Sequence, residues 1–195
     1  MKESLVFYSE YDEPAAWTEA LAAHLPDLDI RVYPDVGAPE AVRYALVWKP
    51  PQGFLARFPG LRLVVNLGAG VDALLARGDL PDVPITRISD PNMARMMAGY
   101  VLFAVLRYAR DIPLFERAKR ERRWAYVHPR EACETRVGVL GLGELGAAAA
   151  AELVRHGFDV RGWSRSPKSL AGVSCVHGKD ALPRFLSELD IAVVM

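Results

Sequence analysis

Residues 136–168 read RVGVLGLGELGAAAAAELVRHGFDVRGWSRSPK, an order of residue types that few folds accept. The apolar run at 137–140 has the character of a buried strand. It leads directly into Gly141, Gly143 and Gly146, spaced G-x-G-x-x-G. The alanine-rich stretch that follows is a strong helix former. Gly157 suits the position just past a helix end, and residues 158–163 supply a second strand. Strand, glycine turn, helix and strand in this length make one half of a dinucleotide-binding fold.

The chemistry explains the spacing. Gly141 permits the tight turn, Gly143 lets the backbone approach a pyrophosphate, and Gly146 lets the helix pack closely on its strand. The helix start then presents unpaired N–H groups and partial positive charge to phosphate oxygens. The turn Gly141, Leu142, Gly143, Glu144, Leu145, Gly146 is therefore the expected cofactor contact. A glycine turn packed only on protein would carry the same three glycines; here the flanking strand, helix and second strand agree with the nucleotide.

The tip of the second strand bears on which nucleotide. An NAD site has Asp or Glu about 20 residues past the glycines, bonded to the ribose 2′-OH. The chain has Ser164 and Arg165 there, and its nearest acid, Asp159, stands at the opposite end of the strand. Arg165 can stack on adenine and pair with a 2′-phosphate, Ser164 and Ser166 can donate to it, and Lys168 adds charge. NADP(H) is expected over NAD(H). A solvated basic loop is the plainer alternative. The missing acid also argues against an S-adenosylmethionine methyltransferase.

Composition excludes several classes. Lys plus Arg and Asp plus Glu both number 24, so nothing suggests a nucleic-acid or membrane-surface partner. Cys133 and Cys175 form neither a metal-ligand pattern nor a disulfide framework, so no metal site is expected and free thiols in a cytoplasm are. The start of the chain has too short an apolar run for a signal peptide. The apolar run at 96–106 is too short to span a bilayer and reads as a buried helix.

Residues 3–90 alternate strands (5–8, 30–33, 45–48, 63–66, 84–88) with short helices, which predicts a parallel sheet with helices on both faces. Asp90, Pro91 and Asn92 cap a long helix over 93–109, restarted by Asp111 and Pro113 and ending near Arg123. Its basic end favours the helix dipole. Residues 126–134 read as a linker. Beyond Lys168 a strand at 173–176, a helix at 180–188 and a strand at 191–194 are expected. The fold class is α/β: a flavodoxin-like parallel-sheet domain over 1–91, then part of a Rossmann domain over 92–195, with the 92–123 helix between the two.

The order of these pieces resembles the D-isomer-specific 2-hydroxyacid dehydrogenase family, and most closely its glyoxylate/hydroxypyruvate reductase branch. The resemblance rests on Ala45-Leu46-Val47-Trp48-Lys49-Pro50-Pro51, Leu67-Gly68-Ala69-Gly70-Val71-Asp72, the glycine turn, and Gly162-Trp163-Ser164-Arg165-Ser166 with Lys168. It implies that the first domain binds a small 2-oxo acid. The amides of Ala69 and Gly70 would hold its carboxylate, and Trp48 would line the pocket. A glycine turn after a parallel strand is a physical fit, since its exposed N–H groups form an anion nest. A simple βα turn, and a core tryptophan at a strand end, remain the plainer readings of these residues. The resemblance further implies that Met97 faces the nicotinamide and that the full-length protein is a homodimer. Gly99 departs from the family's acidic residue and is given no role.

The family's reaction is hydride transfer between nicotinamide and a 2-oxo acid, with a histidine, a carboxylate and an arginine at the reacting carbon. The resemblance places all three beyond Met195. The chain is therefore expected to be an N-terminal portion with negligible turnover of its own and no catalytic residue. His24, His128, His156 and His177 have no convincing partner, and Arg77 reads as a surface residue despite its Ala-Arg-Gly setting. A dinucleotide-binding remnant or regulatory module is the alternative.

Overall fold

A computed structural model describes residues 2–195. The chain divides into two compact units, Met1–Ser89 and Asp90–Met195.

In the first unit, strands β1 (Ser4–Ser9), β2 (Asp29–Val32), β3 (Val42–Trp48), β4 (Leu63–Asn66) and β5 (Ile85–Arg87) form a parallel sheet in the order β2-β1-β3-β4-β5. Successive side chains of a strand point to opposite faces, and the burial follows that period. Val6, Ala45, Val47 and Val64 pack with Phe54, Leu55 and Phe58 in one cluster. Leu5, Phe7 and Leu46 pack with Trp17 and Leu21 of helix α1 (Pro14–His24) in the other. Pro14 opens α1, where its missing N–H has no helical acceptor to lose. A short helix α2 (Asp72–Leu75) follows β4. Strand order reverses between β1 and β3, and the carboxyl ends of strands beside such a reversal are where ligands collect in open α/β sheets. This strand order is flavodoxin-like, in keeping with the fold class expected from the sequence.

The second unit opens with helix α3 (Pro91–Ala109), capped by Asp90, whose carboxylate accepts from the Asn92 N–H at 2.9 Å. Asp111 takes a left-handed conformation, φ +54°, and separates α3 from α4 (Ile112–Arg120). The basic helix end is shorter than expected: Arg122 is also left-handed, φ +51°, and ends the helical path. Strands β6 (Arg136–Leu140), β7 (Asp159–Ser164), β8 (Val173–His177) and β9 (Ile191–Val194) are parallel in the order β8-β7-β6-β9. Helix α5 (Glu144–Arg155) joins β6 to β7, and α6 (Leu182–Ser187) precedes β9. Counted along the chain the order is 3-2-1-4, the beginning of the Rossmann arrangement, with β6 at its reversal point.

One core serves this unit: Val101, Val105 and Ala109 of α3 meet Val137, Val139, Ala149, Ala150, Leu153 and Val160. The alanines let α3 and α5 approach closely. No helix of the described residues is long and apolar enough to cross a membrane.

Candidate functional site

The glycine turn is built by close approach. Gly141 has φ +101°, a region that L side chains rarely adopt, and its N–H donates to the Trp163 carbonyl at 2.8 Å. A Cβ on Gly146 would stand 1.8 Å from the Gly141 carbonyl oxygen, so only glycine lets α5 begin here. Gly143 differs from both. It caps α5 in ordinary extended geometry, no side chain caps the helix, and a Cβ there would meet nothing within 4 Å. Protein requires glycine at positions 141 and 146. At 143 the protein leaves open space in front of the first turn of α5, which is the shape a pyrophosphate needs.

Of the expected cofactor contacts in the turn, Leu142 turns its side chain inward. Its side chain is 4 % exposed and packs in the core, where it fills the room left by Gly162. Only its backbone is left to face a ligand. Glu144 is exposed at the first helical position, and Leu145 is half-buried behind it.

The β7 tip divides into two kinds of residue. Ser164 is buried, and its hydroxyl donates to the Ser166 carbonyl at 2.7 Å. That bond shapes the tip and engages the Ser164 proton within the turn, where the sequence alone suggested a phosphate donor. The tip is pinned further by the Gly178 N–H donating to the Ser164 carbonyl and by the Trp163 indole donating to the Gly178 carbonyl. Arg165, Ser166 and Lys168 are exposed, and among the described residues neither cation has an acidic partner. Met97 lies half-buried in the first half of α3, beside the buried Ala98.

In the first unit, the loop after β4 is stitched by a residue that sequence reading passed over. Asn66 is 3 % exposed, and its amide donates to the carbonyls of Gly68 at 2.7 Å and Gly70 at 3.0 Å. With those carbonyls turned inward, the loop is held as a compact curl. The available signal was a lone polar residue closing an apolar strand before a glycine loop. Trp48 lies against Gly68 so closely that a Cβ there would stand 1.5 Å from the ring. Ala69 is half-buried, and a Cβ on Gly70 would meet nothing within 4 Å. Trp48, Lys49, Pro50, Asn66, Gly70 and Arg77 line a cavity of about 250 Å³.

Arg77 is not the surface residue expected. Its guanidinium donates to the Pro50 carbonyl at 2.6 Å and the Pro51 carbonyl at 2.9 Å, and pairs with both Asp79 oxygens at 2.8 and 2.6 Å. Asp79 also accepts from the Gly53 N–H at 2.6 Å. The Arg77 guanidinium, then that N–H, hold the Asp79 carboxyl far below the usual carboxylate range. This clamp fixes the Trp48–Pro51 turn over the cavity.

The four histidines are all exposed: His24 in the last turn of α1, His128 beside Tyr126, His156 at the end of α5 against Glu152, and His177 at the end of β8. None lines the cavity.

Residues 102–195 match the family model described as D-isomer specific 2-hydroxyacid dehydrogenase, NAD binding domain. The chain is 36 % identical over 196 residues to glyoxylate/hydroxypyruvate reductase A of Yersinia enterocolitica, covering 97 % of this chain and 62 % of that protein. It therefore spans about 62 % of the length of the curated relatives it matches. Among solved structures, a D-isomer specific 2-hydroxyacid dehydrogenase from Xanthobacter autotrophicus Py2, in complex with NADPH and MES, superposes with TM-score 0.94 at 68 % identity. That match covers all of this chain and 64 % of the other. The NADPH-dependent glyoxylate/hydroxypyruvate reductase of Sinorhizobium meliloti, in complex with NADP and sulfate, gives TM-score 0.87 at 31 % identity, over 100 % of this chain and 62 % of that one.

Proposed function

The chain belongs to the D-isomer specific 2-hydroxyacid dehydrogenase family, and from that premise we propose that it forms part of an NADP-dependent reductase of small 2-oxo acids of the glyoxylate and hydroxypyruvate type. The second unit holds the dinucleotide and the first holds the acid. The single observation that carries the nucleotide half is the open space at Gly143 in front of α5. Backbone N–H groups of residues 142–146 would receive the pyrophosphate. Arg165 and Lys168 would meet the 2′-phosphate, and Ser166 is the hydroxyl of the tip still free of the turn that Ser164 makes. Relatives solved with NADPH or NADP support the same choice of cofactor. When bound, the nicotinamide supplies the hydride. This chain's residues orient and position: Met97 against the nicotinamide, Trp48 as a wall of the acid pocket, and the amides of Ala69 and Gly70 on the carboxylate.

A cytoplasmic setting suits Cys133 and Cys175, both free thiols. The partner is a second copy of the chain, through the outward face of α3, where Met96, Tyr100 and Phe103 are all exposed. A second reading, a dinucleotide-binding module without turnover, draws on the four exposed histidines, none of them at the cavity.

Titration of the chain with NADPH and NADH tests the first reading. Arg165→Asp should weaken NADPH by about tenfold or more and leave NADH nearly unchanged, because it replaces a partner of the 2′-phosphate by a charge that repels it. An unaltered ratio would remove the tip assignment, and no affinity for either nucleotide would remove the function. Assay of glyoxylate reduction separates the two readings.

A further inference from the structure

Two basic residues line the 250 Å³ cavity of the first unit, and their surroundings differ. The Arg77 guanidinium is already matched by both oxygens of Asp79 and by two proline carbonyls. Its charge holds the turn and adds little to the field inside the cavity. Lys49 has no acidic partner among the described residues. Its ammonium stands 4.9 Å from the centroid of the Tyr11 ring and 3.4 Å from the Tyr11 hydroxyl. A cation–π contact at an exposed site is weak, so this arrangement restrains the lysine without neutralising it.

The backbone of Lys49 tells the same story. At φ +48° it occupies the left-handed region, costly for a residue with a Cβ, and it keeps that conformation between Trp48, packed on Gly68, and Pro50, held by Arg77. The rest of the lining is neutral: Trp48, Pro50 and Gly70 carry no charge, and the Asn66 amide is occupied by the loop carbonyls. The lining therefore has one basic residue, Lys49, without an acidic partner among the described residues. The cavity is smaller than those that hold drug-sized ligands, about 300 Å³ and upward, so its occupant is a molecule of a few heavy atoms.

The geometry points to Lys49 as the residue that sets the cavity's preference for acids by their charge. This rests on the proposed reading that the loop amides of Ala69 and Gly70 receive one carboxylate of a small acid. Lys49 then acts on whatever charge the far end bears. It is a specificity residue and transfers no proton or hydride.

Oxalate and oxamate test this, being close in size and shape and differing by one negative charge. With the 195-residue chain, calorimetry at low ionic strength should show oxalate bound about tenfold tighter than oxamate. Lys49→Met should bring the two within about twofold, and Lys49→Arg should keep the gap. Salt at about 0.15 M should narrow the gap for the parent chain and leave the Lys49→Met chain unaffected. Circular dichroism checks that the variants fold. A full oxalate preference surviving in Lys49→Met overturns the proposal, and so does a parent chain that binds both acids equally or neither. NADPH titration of the parent chain, run in parallel, reports separately on the nucleotide reading: NADPH bound with no preference between the acids sinks only the role of Lys49.

Discussion

Gly143 and Gly146 stand three residues apart and answer to different demands. At Gly146 a methyl group would collide with the Gly141 carbonyl oxygen at 1.8 Å, and because that oxygen is backbone, α5 must shift off β6. Gly146→Ala should destabilise the second unit by about 2–3 kcal/mol and weaken NADPH as a consequence. At Gly143 a methyl group meets nothing and the backbone is ordinary extended chain. Gly143→Ala should cost about 1 kcal/mol or less of stability, yet weaken NADPH about tenfold, because the methyl fills the space a pyrophosphate would enter. Urea unfolding and nucleotide titration of both variants check this. Equal losses of stability, or undiminished affinity in Gly143→Ala, would refute the division of roles.

Strand β6 is where element and site meet. Its start is tied to the approach to β9 by Arg136, whose backbone N–H donates to Asp190 at 2.8 Å and whose guanidinium bonds both Asp190 oxygens at 3.0 Å. The guanidinium, then the backbone N–H, hold the Asp190 carboxyl down at about 2, from an ordinary 3.8. A carboxyl whose folded value is depressed adds stability that is complete above its unfolded value and is lost as pH falls through the folded one. Acid should therefore loosen the β6–β9 edge between about pH 4 and pH 2. The Asp190→Asn chain should be less stable at pH 7 and lose less across that window. Chemical denaturation at pH 7, 4 and 2 measures it, and identical pH slopes for the two chains would contradict the assignment. The long helix α3 was less legible than the strand. Composition marks residues 96–106 as buried, whereas only one face of α3 is: Ala94, Ala98, Val101 and Val105 face the core, and Met96, Tyr100 and Phe103 face out.

Over the whole molecule, that outward face is where a second copy of the chain is proposed to dock. Its spacing puts three large apolar side chains on one stripe of the helix, a surface more usual at an interface than on a monomer. Light scattering should report a mass near twice that of one chain. Tyr100→Glu with Phe103→Glu should return it to one chain with helix content unchanged; a dimer that survives both charges would place the contact elsewhere. The two sheet orders were also beyond direct reading. Alternating strands and helices imply parallel sheets, but the reversal between β1 and β3 and the reversal at β6 follow from which neighbours each strand finds in space.

By itself the sequence determined the features whose cause lies within a few residues: the glycine turn, the helix after it, the parallel-sheet class of both units, and the resemblance that the family match upholds. The tertiary structure decided those whose cause lies far along the chain. Arg77 reads as a surface charge until Pro50 and Pro51, more than two dozen residues earlier, are found within its reach. The side chain of Leu142 reads as part of an exposed turn until Gly162, on the neighbouring strand, leaves room to bury it. A side chain's local sequence fixes its chemistry, while its partners are set by folding, and it is the partner that separates a charge held in a clamp, as at Arg77, from one left for a ligand, as at Lys49.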